Sequence, residues 1–223
     1  PKENIDLLEG SELNPIADDG NTDNYLNHVI SFINNNDLSL KENYNHIKNI
    51  IDVESYVDYI IVNTYICSRD WPHNNIKWWK DRTTSLSKWR WVMYDTDLSF
   101  NLNEVDLVWI GDLTGNYSYP DEGSFYIFNK LIKNKEFKEF FLNRYLYIIE
   151  NVFNKDRVEL LISNNKNRID AEYNNFHAKW PETNNKSEWE KAVCDLVKFN
   201  NQRYDIMKNI IETLKNDFEN KNN

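Results

Sequence analysis

Two short segments of the chain hold side chains whose types and spacing could do chemistry. The first runs from Asp70 to Asn75 and contains an acid, a histidine and two amides. The second contains Asp95 and Asp97, whose carboxylates point the same way if an extended strand continues through them. Paired carboxylates of this kind favour a hard divalent cation such as Mg²⁺, so the second segment predicts a metal site.

These parts occur in the order found in the catalytic half of protein kinases. In that arrangement an Asp, followed five residues later by an Asn, precedes a hairpin that leads to a metal-binding Asp. By this logic Asp70 orients an acceptor hydroxyl and takes its proton, while Asn75 and Asp95 hold Mg²⁺ on nucleotide phosphates. A hairpin has its two ends side by side, so it would bring Asn75 and Asp95 together.

Simpler interpretations stay open for each motif. An Asp followed five residues later by Asn arises readily by chance in an Asn-rich chain, and Asp95-x-Asp97 also fits a turn or a helix N-cap. His73 fits a loop residue that makes hydrogen bonds. The hairpin tryptophans fit core packing more simply than stacking on a sugar or a base. The sequence contains no Gly-rich phosphate loop and no Gly-x-Ser-x-Gly or His-Glu-x-x-His pattern.

The elements that must position these residues are mainly helical. The sequence predicts one mainly α domain with a small β-hairpin, an α+β fold, over residues 1–223. We expect its parts to be an extended lead-in and loop over 1–20, helices over 21–67, a loop and hairpin over 68–100, a long irregular loop over 101–123 and helices over 124–218. The polar tail 216–223 is expected to fray.

Composition excludes several classes of protein. The 223 residues carry a net charge of −10, which repels phosphate backbones and anionic lipids, so nucleic acid is not an expected partner. An aromatic content of 14% excludes a wholly disordered chain, and no stretch approaches the 18 apolar residues of a membrane span. Cys67 and Cys194 are too few for a disulfide scaffold or a zinc site but could form one bridge. Lys77, Lys80 and Arg90 are expected to face solvent on the hairpin, with the alternative that one of them reaches phosphate.

The same residues carry a resemblance to a known family. The stretch Asp70-Trp-Pro-x-Asn-Asn-Ile-Lys-x-Trp, followed by Lys88-Trp-Arg-Trp-Val-Met-Tyr-Asp-x-Asp-Leu-Ser-Phe100, resembles the CotH kinase family, which is named for a spore coat protein. The likeness extends to residues 4–9, 52–67 and 140–144. It implies a fold like the C-terminal lobe of a diverged protein kinase. It also implies transfer of the ATP γ-phosphate, with Mg²⁺ or Mn²⁺, to Ser or Thr of spore coat or cell-surface proteins.

Carried over residue by residue, the resemblance implies that Asp70 is the catalytic Asp and Asn75 and Asp95 are metal ligands. Asp97 is a neighbour or an alternative to Asp95, which is favoured because it directly follows the strand. The resemblance assigns no nucleotide-binding residue here, since we expect the N-terminal lobe that supplies such groups to precede Pro1. The predicted activity is therefore that of the parent protein with this lobe. The alternatives are a non-catalytic coat or cell-surface assembly module and an aromatic-lined carbohydrate binder.

Overall fold

The computed structural model describes residues 2–108, 125–183 and 185–221. A small antiparallel sheet packs against a larger set of helices, which confirms the mainly α prediction. The strands are β1 Ile5–Gly10, β2 Pro15–Asp19, β3 Lys77–Asp81 and β4 Arg90–Val92. The helices are α1 Asp23–Tyr25, a π-helical segment Leu26–Ile30, α2 Ser31–Asn35, α3 Lys41–Ile50, α4 Val53–Ile66, α5 Phe125–Leu131, α6 Lys135–Asn151, α7 Lys155–Lys179 and α8 Lys186–Asn220, with short 3₁₀ turns at Lys2–Asn4 and Leu102–Glu104.

The sheet has four strands, twice the number predicted. Its order is β2-β1-β3-β4, so the predicted hairpin of β3 and β4 is extended on one edge by residues 5–19. The extended lead-in predicted at the start of 1–20 forms β1, whereas the prediction of a loop after it is wrong because Pro15–Asp19 forms β2. An apolar/polar alternation did not reveal β1, because its two buried side chains are Leu8 and the acid Asp6. The Asp6 carboxylate accepts a hydrogen bond from the Asn21 backbone N–H at 3.1 Å, which explains how an acid is buried there.

The helices that precede the hairpin follow their predicted positions. The helical stretch from Asp23 ends at Asn35, and α3 and α4 occupy the two segments assigned to them. Asp52 caps α4, because its side chain accepts a hydrogen bond from the Ser55 N–H. The same carboxylate pairs with Arg90 at 2.8 Å. Arg90 of the hairpin is therefore held by α4, while its side chain remains 43% exposed to solvent, in agreement with the prediction.

The C-terminal half is also helical as predicted. Asn134, Asn154 and Asn185 cap α6, α7 and α8, each with its side-chain oxygen accepting backbone N–H groups. The prediction of a frayed tail from residue 216 is wrong, since α8 continues to Asn220. Most of the predicted loop over 101–123 lies outside the described residues. Among the described helices, none is both long and apolar enough to cross a membrane.

The core joins the sheet to the helices through aromatic side chains. Trp78 and Trp89 from the hairpin are fully buried and contact Tyr25, with ring centroids 5.1 and 5.2 Å apart. Trp91 packs on Tyr56 of α4 at 4.4 Å. These contacts confirm core packing for Trp78, Trp89 and Trp91, but not for Trp79, which is only partly buried. They also fix the hairpin, and with it both ends of the candidate site, against α4.

Candidate functional site

The site begins where α4 ends. Cys67 terminates the helix in the left-handed conformation with φ 52°, so the chain leaves the helix axis abruptly. Its buried thiol donates to the Glu104 carbonyl at 3.4 Å. Burial raises the pKa of the Cys67 thiol to about 11, which leaves it protonated and unsuited to act as a nucleophile. Cys67 and the exposed Cys194 are both free thiols, so the two cysteines form no bridge.

Two backbone hydrogen bonds connect the end of α4 to the segment that follows Asp97. The Arg69 N–H donates to the Leu98 carbonyl at 3.2 Å, and the Phe100 N–H donates to the Ile66 carbonyl at 2.9 Å. Because Asp70 follows Arg69 and Asp97 precedes Leu98, these bonds bring the two predicted site segments alongside each other.

The loop that carries Asp70 is anchored at its base. The Asp70 carbonyl accepts hydrogen bonds from the N–H groups of His73 and Asn74, at 3.2 and 2.8 Å, which closes a turn. The next side chain, Trp71, is buried between Tyr59 and Phe125, with ring centroids at 6.1 and 4.9 Å. The loop is thus fixed through its backbone and one large side chain, while the Asp70 residue stays partly accessible to solvent.

Asn75 and Asp95 are in direct contact. The Asn75 side-chain N–H donates to the Asp95 backbone carbonyl at 3.2 Å. This bond fixes the amide plane and makes its oxygen, Oδ1, the atom that could ligate a cation. The contact agrees with the expectation that a hairpin brings these two residues together.

Unusual backbone conformations are concentrated at this site. Among the described residues, the non-glycine residues with positive φ are Cys67, Asn75, Asp95 and Phe100, with φ between 52° and 57°. Such conformations are uncommon outside glycine and asparagine, and they persist where surrounding contacts impose them. All four lie at the junction of α4, the Asp70 loop and the segment after β4. This concentration is a physical reason, independent of the motifs, to look for function here.

The carboxylates of the site face one another. A hydrogen bond with Asp97 is the main cause that raises the pKa of Asp95, followed by desolvation and by the negative charges of Asp97 and Asp70. From the sequence, an extended strand is expected to continue through Asp95 and Asp97 and to point both carboxylates the same way. That expectation is wrong, because β4 ends at Val92 and Asp95 has a positive φ. Asp95 and Asp97 meet through a turn and not along one face of a strand.

The donor set limits how a cation could be held. Among the residues that the structure describes, no three Asp, Glu, His or Cys side chains form a metal-binding group by themselves. Asn75 with Asp95 and Asp97 would supply an amide and one or two carboxylates. Mg²⁺ is commonly bound by one or two carboxylates that leave the other positions to water and substrate phosphates, so the residues fit that ion.

Lys77 lies close to the site but is already engaged. Its ammonium group pairs with Glu9 at 3.0 Å and with Asp18 at 2.9 Å, and it lies 5.5 Å from the Tyr94 ring centroid. These contacts raise its pKa, chiefly through the hydrogen bond to Asp18. The prediction that Lys77 faces solvent is wrong. Sequence reasoning missed its partners because it did not find β1 and β2, on which they lie.

A cleft of about 480 Å³ lies between α4 and β4, next to the site. It ends at Met93, whose sulfur accepts from the Asn63 amide at 3.4 Å. Acidic side chains line its other end, where Arg144 makes two hydrogen bonds of 2.7 Å to Asp58. The pairing of Arg144 with Asp58 reduces the negative charge that the cleft presents to a ligand.

Comparison with known proteins gives one match. The family model of the CotH kinase protein matches residues 9–207, which include both site segments and most of the chain. A search of curated proteins finds no match, and neither does a search of solved structures.

Proposed function

Because the chain belongs to the CotH kinase family, which indicates a kinase-like or spore-coat-related role, we propose that it transfers the γ-phosphate of ATP to Ser or Thr hydroxyls of spore coat or cell-surface proteins. The observation that carries this proposal is the convergence of Asp70 with Asn75, Asp95 and Asp97. Two backbone hydrogen bonds and the Asn75–Asp95 contact hold these residues together across the hairpin.

In the proposed reaction Asp70 acts on the acceptor. Its carboxylate accepts the proton of the Ser or Thr hydroxyl while the hydroxyl oxygen forms a bond to the γ-phosphorus. The bond from that phosphorus to the β–γ bridging oxygen breaks, and ADP leaves with the electron pair. The turn closed by the Asp70 carbonyl and the burial of Trp71 fix the backbone that carries the carboxylate, which supports the positioning that phosphoryl transfer requires.

The second part of the proposal concerns the metal. Asn75, Asp95 and Asp97 would hold Mg²⁺ or Mn²⁺, which would neutralise charge on the phosphate oxygens. The raised pKa of Asp95 supports this assignment, because crowded carboxylates gain most from a bound cation. Lys77 supports it in a different way. Since two carboxylates already neutralise its ammonium group, the metal would have to provide the positive charge at this edge of the site.

A second candidate is a non-catalytic coat or cell-surface assembly module with a kinase-like frame. It is favoured by the occupied state of Lys77 and by the lack of a Gly-rich phosphate loop in the sequence. The two candidates differ in whether the site carboxylates bind Mg²⁺ with ATP.

The experiment is transfer of radiolabelled γ-phosphate by the full-length protein, with Mg²⁺ or Mn²⁺ and its own chain or a Ser/Thr-rich acceptor protein present. We expect Asp70→Asn to lose transfer but keep Mg·ATP binding in calorimetry, and Asp95→Asn to lose both. Asp217→Asn is the matched control, because it neutralises an exposed carboxylate near the end of α8. Transfer that survives Asp70→Asn would refute the role of Asp70. No transfer and no Mg·ATP binding by the unaltered protein would favour the assembly module.

A further inference from the structure

A two-helix arm, residues 165–198, lies outside the hydrophobic core. It consists of the second half of α7 and the first part of α8. Within α8, the buried residues begin only at Phe199, and within α7 only Val158 and Tyr173 are buried. The arm is long, but it buries few side chains in the hydrophobic core.

The arm carries an apolar groove that nothing in the described chain fills. Ile169, Tyr173 and Phe176 recur at the spacing of one helix face, and Trp189 from α8 stacks on Tyr173 with ring centroids 5.0 Å apart. The groove has a volume of about 380 Å³. Ile169 is 53% exposed and Phe176 is 51% exposed, and Trp180 continues the same face with 47% exposure. An exposed apolar strip of this kind is typical of an interaction surface.

Charge identifies which partner suits this surface. The whole chain carries a net charge of −10, whereas the arm contains six Lys or Arg and six Asp or Glu residues. All of the net negative charge thus lies outside the arm. Two copies of this acidic chain repel each other through their net charge, and they meet the least repulsion when they join through their neutral arms.

The rim of the groove is also self-complementary. Arg168 and Glu172 both line it and lie one helical turn apart on α7. When two identical helices pack antiparallel about a two-fold axis, a cation and an anion spaced in this way can each face the opposite charge on the other copy. We propose that the chain forms a homodimer in which the α7 grooves pack against each other in this antiparallel arrangement. The apolar side chains available are few, so the dimer is weak and forms in the micromolar range. This inference does not depend on the proposed function.

The test is sedimentation velocity of the full-length protein over a range of concentrations. We expect the weight-average sedimentation coefficient to rise with concentration. Phe176→Glu should raise the dimer dissociation constant by about tenfold or more, since it buries a charge in the groove. Leu86→Glu is the matched control, because it places the same charge on a side chain that is 85% exposed in the β3–β4 connection, and it should dimerise like the unaltered protein. A protein that stays monomeric throughout, or a Phe176→Glu variant that dimerises unchanged, would overturn the proposal.

A charge-reversal pair tests the geometry without touching the apolar groove. Arg168→Glu and Glu172→Arg should each weaken the dimer, because each places like charges opposite one another. The double variant should restore the original dissociation constant. Failure of the double variant to recover would refute the antiparallel arrangement. Circular dichroism of each variant shows that the fold is retained.

Discussion

Arg203 offers the sharpest test of how the surroundings of the site are held, because this fully buried cation connects α8 to the end of α4 and to the segment after Phe100. Its guanidinium donates to the carbonyls of Thr64 and Tyr65, at 2.6 and 2.9 Å, near the C-terminal end of α4. A third bond of 2.8 Å reaches the Val105 carbonyl, in the segment that follows Phe100. The guanidinium therefore satisfies carbonyls that the end of a helix leaves without partners, and it lies at the negative end of the helix dipole.

The magnitude follows from these three contacts. Replacing Arg203 by Met keeps much of the volume but leaves three buried carbonyls without their donor. Each such loss costs about 1–3 kcal/mol, and relief of the buried charge offsets part of the total, so we expect a destabilisation of about 3–5 kcal/mol. That is a large part of the roughly 5–15 kcal/mol by which domains are stable. At a urea dependence of about 2 kcal/mol per molar, the midpoint should fall by about 2 M.

The assay is equilibrium urea unfolding followed by tryptophan fluorescence. Arg157→Met is the matched control, since Arg157 is exposed on α7 and its replacement should change the unfolding free energy by less than about 0.5 kcal/mol. A change below about 1 kcal/mol for Arg203→Met would refute the reasoning, because it would show that water or a rearranged backbone satisfies the carbonyls equally well.

Two further predictions concern groups whose pKa the fold raises. Mg²⁺ should increase the melting temperature of the protein at neutral pH and lose this effect in acid, because protonation of Asp95 competes with the cation and its raised pKa brings this loss to a higher pH than an ordinary Asp would show. Asp95→Asn should abolish the shift, and an equal shift at neutral and acid pH in scanning fluorimetry would contradict the metal assignment. Desolvation raises the pKa of the buried Glu12, so the folded state binds more protons than the unfolded state, and unfolding free energy should fall as pH rises above about 5. Glu12→Gln keeps an acceptor for the Ile127 N–H, which Glu12 binds at 3.0 Å. In urea titrations this variant should flatten the decline of the unfolding free energy with pH. A decline of unchanged slope would show that Glu12 is not its cause.

The sequence predicts the helices well because their signals are local. The apolar spacing of α4 and its N-cap Asp52, which directly precedes the helix, are signals contained in one short stretch of sequence, and the structure shows both. The strands β1 and β2 have no comparable local signal. The pairing of β1 with β3 is a contact between residues about seventy positions apart, β2 joins the sheet only through β1, and the buried Asp6 interrupts the alternation that marks a strand.

The candidate site likewise has features that the sequence predicts and features that it does not. The residue types and their order identify Asp70, Asn75 and Asp95, and hairpin geometry accounts for the Asn75–Asp95 contact. The positive φ of Asp95 and the pairing of Lys77 could not be read from the sequence. Both depend on distant segments, namely the chain after Asp97 that returns to α4 and the strands that supply Glu9 and Asp18.

The contacts that stabilise the site also explain how it can keep unfavourable features. Positive φ at Cys67 and Asp95 costs free energy, and so does the proximity of the Asp95 and Asp97 carboxylates. The buried Trp71 anchors the loop that carries Asp70, and Arg203 binds carbonyls at the end of α4 beside Cys67, so these contacts supply stability around the site. A cation between the carboxylates would remove their repulsion without any change of backbone, so a bound metal should stabilise the fold as well as serve the reaction. An assembly module would gain nothing from retaining crowded carboxylates on strained backbone, and this asymmetry favours the phosphotransferase.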